Sequence, residues 1–243
     1  MADSFEHIPT PNFSSFTKRW HSEPYPFISP TRPELSAAGK TVLVTGGGTG
    51  IGRAVSIAFA QAGAKSIAII GRRLDRLQDA AAEIVAAGSG RTKVVTATGD
   101  VAHRESMNAA VKSISDEVGK IHIFVSCSGA LPKIDPVRDY DEAQFRHGLE
   151  VNVVGTFNAL QAVLPFAYPN AMILNISSLF AHFAPTANSF AYAVNKIAAL
   201  KMFDYLAAEN PDLRVVSVQP GIVATEINSA YDVECPDSGM SSL

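Results

Sequence analysis

From Lys40 onward the chain alternates short β-branched runs with longer stretches whose apolar positions recur at helical spacing. "TVLVTG" predicts a strand ending in glycines, and "IGRAVSIAFAQAG" a helix closed by Gly63. "SIAIIG" reads as a second strand, "RLDRLQDAAAEIVAAG" as a helix closed by Gly88, and "KVVTATGD" as a third strand. "RESMNAAVKSISDEVG" and "IHIFVSCSG" add a helix and a fourth strand. Such alternation is the pattern of βαβ units, because parallel strands need a crossover and helices must cover both faces of the sheet.

The second half predicts a helix near 141–149, a longer one over roughly 152–167, and the strand "AMILNIS". A loop with Pro185, a helix through "SFAYAVNKIAAL" and the strand "LRVVSVQPG" follow. With no internal repeat, low-complexity block or further boundary, residues 39–243 are expected to form a single doubly wound α/β domain. Residues 1–38 differ, because Pro9, Pro11, Pro24, Pro26, Pro30 and Pro33 interrupt any sustained period. Proline removes backbone donors and biases its predecessor toward extended forms, so an irregular N-terminal arm is expected. Phe13, Phe16, Trp20, Tyr25 and Phe27 suit an arm packed on the domain or on a partner subunit. A freely disordered tail is the alternative.

Composition narrows the function classes. The 243 residues are 47% hydrophobic and 18% charged, which suits a soluble globular protein with a substantial core. A formal charge of -3 offers no basic field for nucleic acid or anionic lipid. Cys127 and Cys235 lie far apart, without partners at metal-ligand spacing, so neither a disulfide framework nor a metal site is expected. "MADSFEHIPTPNF" lacks the basic start and apolar core of a signal peptide, and no segment approaches the ~20 apolar residues of a membrane span. The expectation is a cytoplasmic protein that binds neither nucleic acid nor membrane.

Candidate chemistry begins at "TGGGTGIG", Thr45 to Gly52, between the first strand and the first helix. Glycines there allow a tight turn and let a pyrophosphate approach backbone amides, while the helix N-terminus adds partial positive charge. A tight connection with no ligand is the plainer alternative. About 20 residues on, where a carboxylate would bind an adenosine ribose, stand Arg72 and Arg73. Guanidinium groups suit a 2′-phosphate, so NADP is favoured over NAD. Alternatively, one of them pairs with Asp75 or Asp79 on its own helix.

The second candidate is Tyr192 and Lys196, four apart and therefore one above the other on a helix. A phenol near its ordinary pKa of ~10 is a weak acid unless a nearby positive charge lowers it, and Lys196 is placed to supply one. A core aromatic beside a snorkelling lysine is the structural alternative. Ser178 ends a strand upstream and could donate to the same substrate oxygen, with Ser177 its rival; His182 lies in the following loop, either lining a pocket or on the surface.

Taken with "GDV" at Gly99 to Val101, "VNVVGT" containing Asn152, "NISS" ending at Ser178, "YAVNK" and "PGIVAT" from Pro220, these residues resemble the short-chain dehydrogenase/reductase family over nearly all of 40–225. The resemblance implies a Rossmann-like domain with a central parallel sheet and helices on both faces. It implies a catalytic set of Asn152, Ser178, Tyr192 and Lys196. Asn152 would support a water relay, Ser178 bind the substrate oxygen, Tyr192 act as acid or base, and Lys196 bind nicotinamide ribose and tune the tyrosine. Asn152 could instead simply cap a helix. The cofactor contacts implied by the family motifs and the glycine-rich turn are Thr45, Gly46, Gly50, Ile51, Gly52, Arg72, Asp100, Val101, Gly129, Asn152, Tyr192, Lys196, Pro220, Val223 and Thr225. The substrate would be a small carbonyl compound or secondary alcohol. Subunits would pair through the helices around 152–167 and 192–208. The long stretch before the first strand is similar to enzymes of filamentous fungi, many of which serve secondary metabolism.

Two departures from the family stand out. The fourth strand usually ends in Asn-Asn-Ala-Gly, but here Ser126, Cys127, Ser128 and Gly129 replace it. The lost asparagine hydrogen bonds need substitutes, and Cys127 is expected to be a small filler rather than a reactive thiol. After "PGIVATEI" the family adds a substrate-covering segment, a helix and a last strand, whereas "NSAYDVECPDSGMSSL" is too short and polar to supply them. A shortened C-terminal part with an exposed sheet edge is therefore expected. Two functions remain: an NADP-dependent oxidoreductase, and a nucleotide-binding protein with weak or no turnover.

Overall fold

The computed structural model describes residues 24–182, 185–221 and 223–228. Six parallel strands form one sheet in the order β3-β2-β1-β4-β5-β6. They are β1 (Thr41–Thr45), β2 (Ser66–Gly71), β3 (Lys93–Thr98), β4 (Ile121–Ser126), β5 (Ala167–Ile176) and β6 (Arg214–Val218). The crossover helices are α1 (Gly50–Gln61), α2 (Leu74–Ala87), α3 (Arg104–Val118), α4 (Glu142–Leu149), α5 (Gly155–Val163) and α6 (Phe190–Glu209).

Alternation along the strands divides the core into two layers. Val42 and Val44 of β1 with Ile67 and Ile69 of β2 point to one face, where Ala60 of α1 and Leu77, Ala80 and Ile84 of α2 cover them. Leu43, Ala68, Ile70, Phe124 and Ile173 point to the other, against Met107, Val111 and Ile114 of α3, Leu160 and Val163 of α5, and Phe203 and Leu206 of α6. Because both faces of the central strands are buried, their sequences read as continuous apolar runs. Chain direction along the sheet order reverses between β1 and β4, and the carboxyl ends of those strands open the crevice where such sheets bind ligands.

The helices expected near 141–149 and over 152–167 form one rod, α4 and α5 joined by a π-helical turn at Glu150–Val154. The rod ends at Val163, followed by a 3-10 turn carrying Pro165, and β5 begins at Ala167, earlier than the pattern suggested. Its first residues are exposed and the β4 pairing shifts register between Ile121 and Ile123, which blurs the periodicity there. Of the N-terminal arm, residues 24–38 are described, and Phe13, Phe16 and Trp20 lie outside the described residues. Two 3-10 turns, Pro26–Ile28 and Pro33–Leu35, precede a single antiparallel bridge from Ala38 to Ala64. Phe27 is exposed beneath the Arg32 guanidinium, 4.6 Å from its ring centre, while Ala37 is buried.

Candidate active site

The carboxyl ends of β1, β2, β3, β4 and β5 and the segment after β6 surround one cleft of ≈ 570 Å³. Its floor is the glycine-rich turn. Gly46 has φ 69°, and a β-carbon there would lie 3.0 Å from the Ser128 nitrogen. A β-carbon at Gly52 would sit 2.3 Å from the Gly46 carbonyl oxygen, so a side chain cannot enter without moving backbone. The turn runs into α1, whose N-cap Thr49 makes no side-chain capping bond. The first-turn N–H groups of a 12-residue helix are thereby left for an anion. At the same end of the cleft stand Arg72, Arg73 and Arg76. Among the described residues neither Arg72 nor Arg73 pairs with Asp75 or Asp79; Arg73 instead bonds Glu226 at 2.8 Å. A backbone cradle, an uncapped helix start and clustered guanidinium groups form a donor set that fits the phosphates of a nicotinamide dinucleotide.

The fourth strand's unusual ending is held by Thr45. Its hydroxyl accepts the N–H groups of Cys127 at 3.2 Å and Ser128 at 3.4 Å, supplying hydrogen bonds at the position of the absent asparagines. Thr45 is fully buried and, unlike the other expected contacts around it, does not line the cleft. Cys127 packs against the core, and burial pushes its thiol up to about 11 despite the opposing charge of Lys196, so it is uncharged near neutrality.

At the other end of the cleft, Ser178, Tyr192 and Lys196 share one wall. The buried stripe of α6 is Ala191, Asn195, Ala199 and Phe203, at helical spacing, and Tyr192 and Lys196 lie one position around from it. Packing accounts for the stripe and leaves the pair at its margin, facing the cleft. Lys196 Nζ donates to the Ile176 carbonyl at 2.9 Å and lies 5.6 Å from the Tyr192 ring centre. Burial draws the Lys196 ammonium below its ordinary value, partly offset by Cys127. Burial also raises the Tyr192 phenol, and a hydrogen bond with Ser178 opposes that rise. Lowering of the tyrosine by Lys196 is thus not seen, because the ammonium is turned to a carbonyl and desolvation dominates. Ser178 has extended backbone and accepts the Phe180 N–H at 3.4 Å, whereas the Ser177 hydroxyl is buried and unpartnered.

Asn152 sits within the π-helical turn, 3% exposed, rather than at a helix cap. Its side chain brackets the Ala130 peptide, donating to the carbonyl and accepting the N–H, both at 2.9 Å. It therefore stands behind the cleft wall, fixing the loop after Gly129. Asp100 accepts the Ala102 N–H, and the Val101 carbonyl accepts from Asn158. Both line the cleft beside Gly129, Pro220, Val223 and Thr225. His182 is exposed and not part of the lining. Arg76, Leu131, Val151 and Glu226 also line the cleft, though the sequence did not single them out. Arg76, three positions after the N-cap Arg73 of α2, was recoverable from helical spacing. Glu226 stands 153 positions from Arg73, with no local signal.

Comparison with known proteins agrees with this geometry. A family model described as short chain dehydrogenase matches residues 40–235. A short chain dehydrogenase of Pseudocercospora fijiensis is 35% identical over 215 residues, covering 86% of this chain and 67% of that protein. Among solved structures, an alcohol dehydrogenase of Thermococcus sibiricus complexed with 5-hydroxy-NADP superposes with TM-score 0.69 at 27% identity, covering 76% of this chain and 77% of that one. An NAD+-bound xylitol dehydrogenase superposes with TM-score 0.73 at 29% identity, covering 77% and 72%. A sequence match across most of the chain, on a sheet of this order with this cleft, establishes that the chain belongs to the short-chain dehydrogenase/reductase family of oxidoreductases.

Proposed function

We propose that the protein is an NADP-dependent oxidoreductase interconverting a small carbonyl compound and a secondary alcohol, with Tyr192 as general acid and base. The observation that carries this is the shared cleft: Ser178, Tyr192 and Lys196 at one end, the glycine cradle and Arg72, Arg73 and Arg76 at the other. When bound, the nicotinamide supplies or accepts the hydride. Ser178 orients the substrate oxygen, and Tyr192, a protonated phenol in this burial-raised state, gives that oxygen its proton during reduction. Lys196 holds the ribose side of the cleft, and Asn152 fixes the Ala130 loop that forms the wall. Gly46, Gly50, Ile51 and Gly52 receive the pyrophosphate, Asp100 and Val101 the adenine, Pro220, Val223 and Thr225 the nicotinamide end, and Arg72 together with Arg73 and Arg76 the 2′-phosphate.

A nucleotide-binding protein without turnover is the second reading, favoured by the engagement of Lys196 with Ile176 rather than with the phenol oxygen. Titration with NADPH and NADH, then assay of wild type and Tyr192→Phe on a panel of ketones, separates the two. Tyrosine-dependent turnover supports the enzyme; tight NADPH binding without it supports the second reading. Pairing of subunits through the helices around 152–167 and 192–208 belongs to the proposal, supported by exposed Val154, Phe157, Ile197 and Tyr205 and tested by light scattering. So do a cytoplasmic location and a place in secondary metabolism. Among the described residues no helix is long and apolar enough to cross a membrane.

A further inference from the structure

The segment after β6 crosses the cofactor end of the cleft and is pinned there by charge. Thr225 lies against Gly50, the residue that opens α1. Glu226, next in sequence, places one carboxylate oxygen 2.8 Å from Arg73 and the other 3.4 Å from Arg76. Beside this crossing a smaller cavity of ≈ 130 Å³ has Arg53, Arg76, Asp79, Thr225 and Glu226 in its lining. The hydrogen bond from Arg73 holds the Glu226 carboxyl below its usual range, desolvation opposes this, and the charges of Arg76 and Arg53 add to it. A carboxylate spread across two guanidinium groups has the geometry in which arginine recognises phosphate as well.

We propose that Glu226 is an intramolecular stand-in for the 2′-phosphate: its carboxylate occupies Arg73 and Arg76 until a 2′-phosphorylated adenosine displaces it, making 223–228 a cofactor-operated latch. The proposal rests on the NADP reading above and adds a competitor to it. A phosphate carries about -1.5 to -2 charges and three acceptor oxygens, against one charge and two oxygens for Glu226, so it wins the exchange. A ligand without the 2′-phosphate leaves the latch closed and binds beneath it. The latch lowers apparent affinity for the phosphorylated ligand by the fraction of time it is shut.

The test uses the full chain and two probes, 2′,5′-ADP and 5′-AMP, titrated by calorimetry into wild type, Glu226→Gln and Asp75→Asn. Asp75 carries the same charge on the first turn of α2 but makes no ion pair among the described residues. Glu226→Gln is expected to tighten 2′,5′-ADP binding ~3–10-fold and leave 5′-AMP within twofold, with Asp75→Asn close to wild type. Hydrogen exchange across 223–228 is expected to speed up on adding 2′,5′-ADP to wild type, and not on adding 5′-AMP. If wild type prefers 2′,5′-ADP but Glu226→Gln leaves that preference unchanged, or Asp75→Asn raises it equally, the latch is overturned while the NADP reading stands. If neither wild type nor Glu226→Gln prefers 2′,5′-ADP, both are overturned.

Discussion

One face of the sheet looks different at its two ends. Over β1 and β2, helices α1 and α2 bury Val42, Val44, Ile67 and Ile69 completely. Over β5 and β6, the residues of the same face, Leu174, Ile176, Val216 and Val218, are partly or largely open; Val216 is 45% exposed and Val218 40%. The opposite face shows no such contrast, because α3, α5 and α6 cover it from β2 to β5. The proposed cofactor recognition therefore rests on a packed double layer, and the proposed chemistry stands where only one layer is closed among the described residues. The two edges differ less. Both edge strands begin with an exposed basic residue, Lys93 of β3, paired with Glu117, and Arg214 of β6, and β6 adds two open valines. A charged residue on an edge strand discourages pairing with another strand.

Four measurements can break or sharpen this contrast. The largest effect is expected from Tyr192→Phe, which should lower turnover by ~10²–10⁴ while cofactor affinity stays near wild type. A parallel loss of cofactor binding would mean the two ends do not function separately. Next, Ile69→Ala, in the packed half, should cost ~2–5 kcal/mol of stability by denaturant titration, since a large buried side chain leaves a cavity. Third is Cys127, where the halves meet. In a Cys235→Ser background, iodoacetamide should modify it at pH 8 about 100-fold more slowly than a thiol of ordinary pKa, because burial raises its value from 9.0 to about 11. The sign follows from thiolate being the reactive form: the rate should climb about tenfold per pH unit and level off only near 11. Val216→Thr, in the open half, should change stability by under about 0.5 kcal/mol. A cost comparable to Ile69→Ala would show that something covers that face in solution.

Much of this arrangement was legible in the sequence. The strands "TVLVTG" and "SIAIIG" and their following helices stand where the apolar pattern put them, because burial on both faces leaves a continuous signal. The glycine-rich turn was equally plain, since Gly46 and Gly52 answer a local steric demand. The break between α4 and α5 was misread, because a π-helical turn keeps the chain helical while shifting its period. The start of β5 was placed late, its first turns being exposed and irregularly paired. Of the site, Ser178, Tyr192 and Lys196 were expected together and do line one cleft. The behaviour of the tyrosine was not legible: proximity in sequence suggested that Lys196 would acidify it, whereas burial raises the phenol, and Lys196 donates to the Ile176 carbonyl.

By itself, then, the sequence determined the order of elements, the parallel sheet, the glycine cradle and the pairing of Tyr192 with Lys196 on one helix, all of which depend on spacing within a few turns or strands. Tertiary structure alone decided that Thr45 supports the loop after β4, that Asn152 holds Ala130 from behind the wall, and that Glu226 reaches Arg73 and Arg76. Those contacts join residues 22 to 153 positions apart. Hydrogen bonds and ion pairs of that range leave no periodic trace along the chain, because the partners meet only once the sheet has brought its strand ends together.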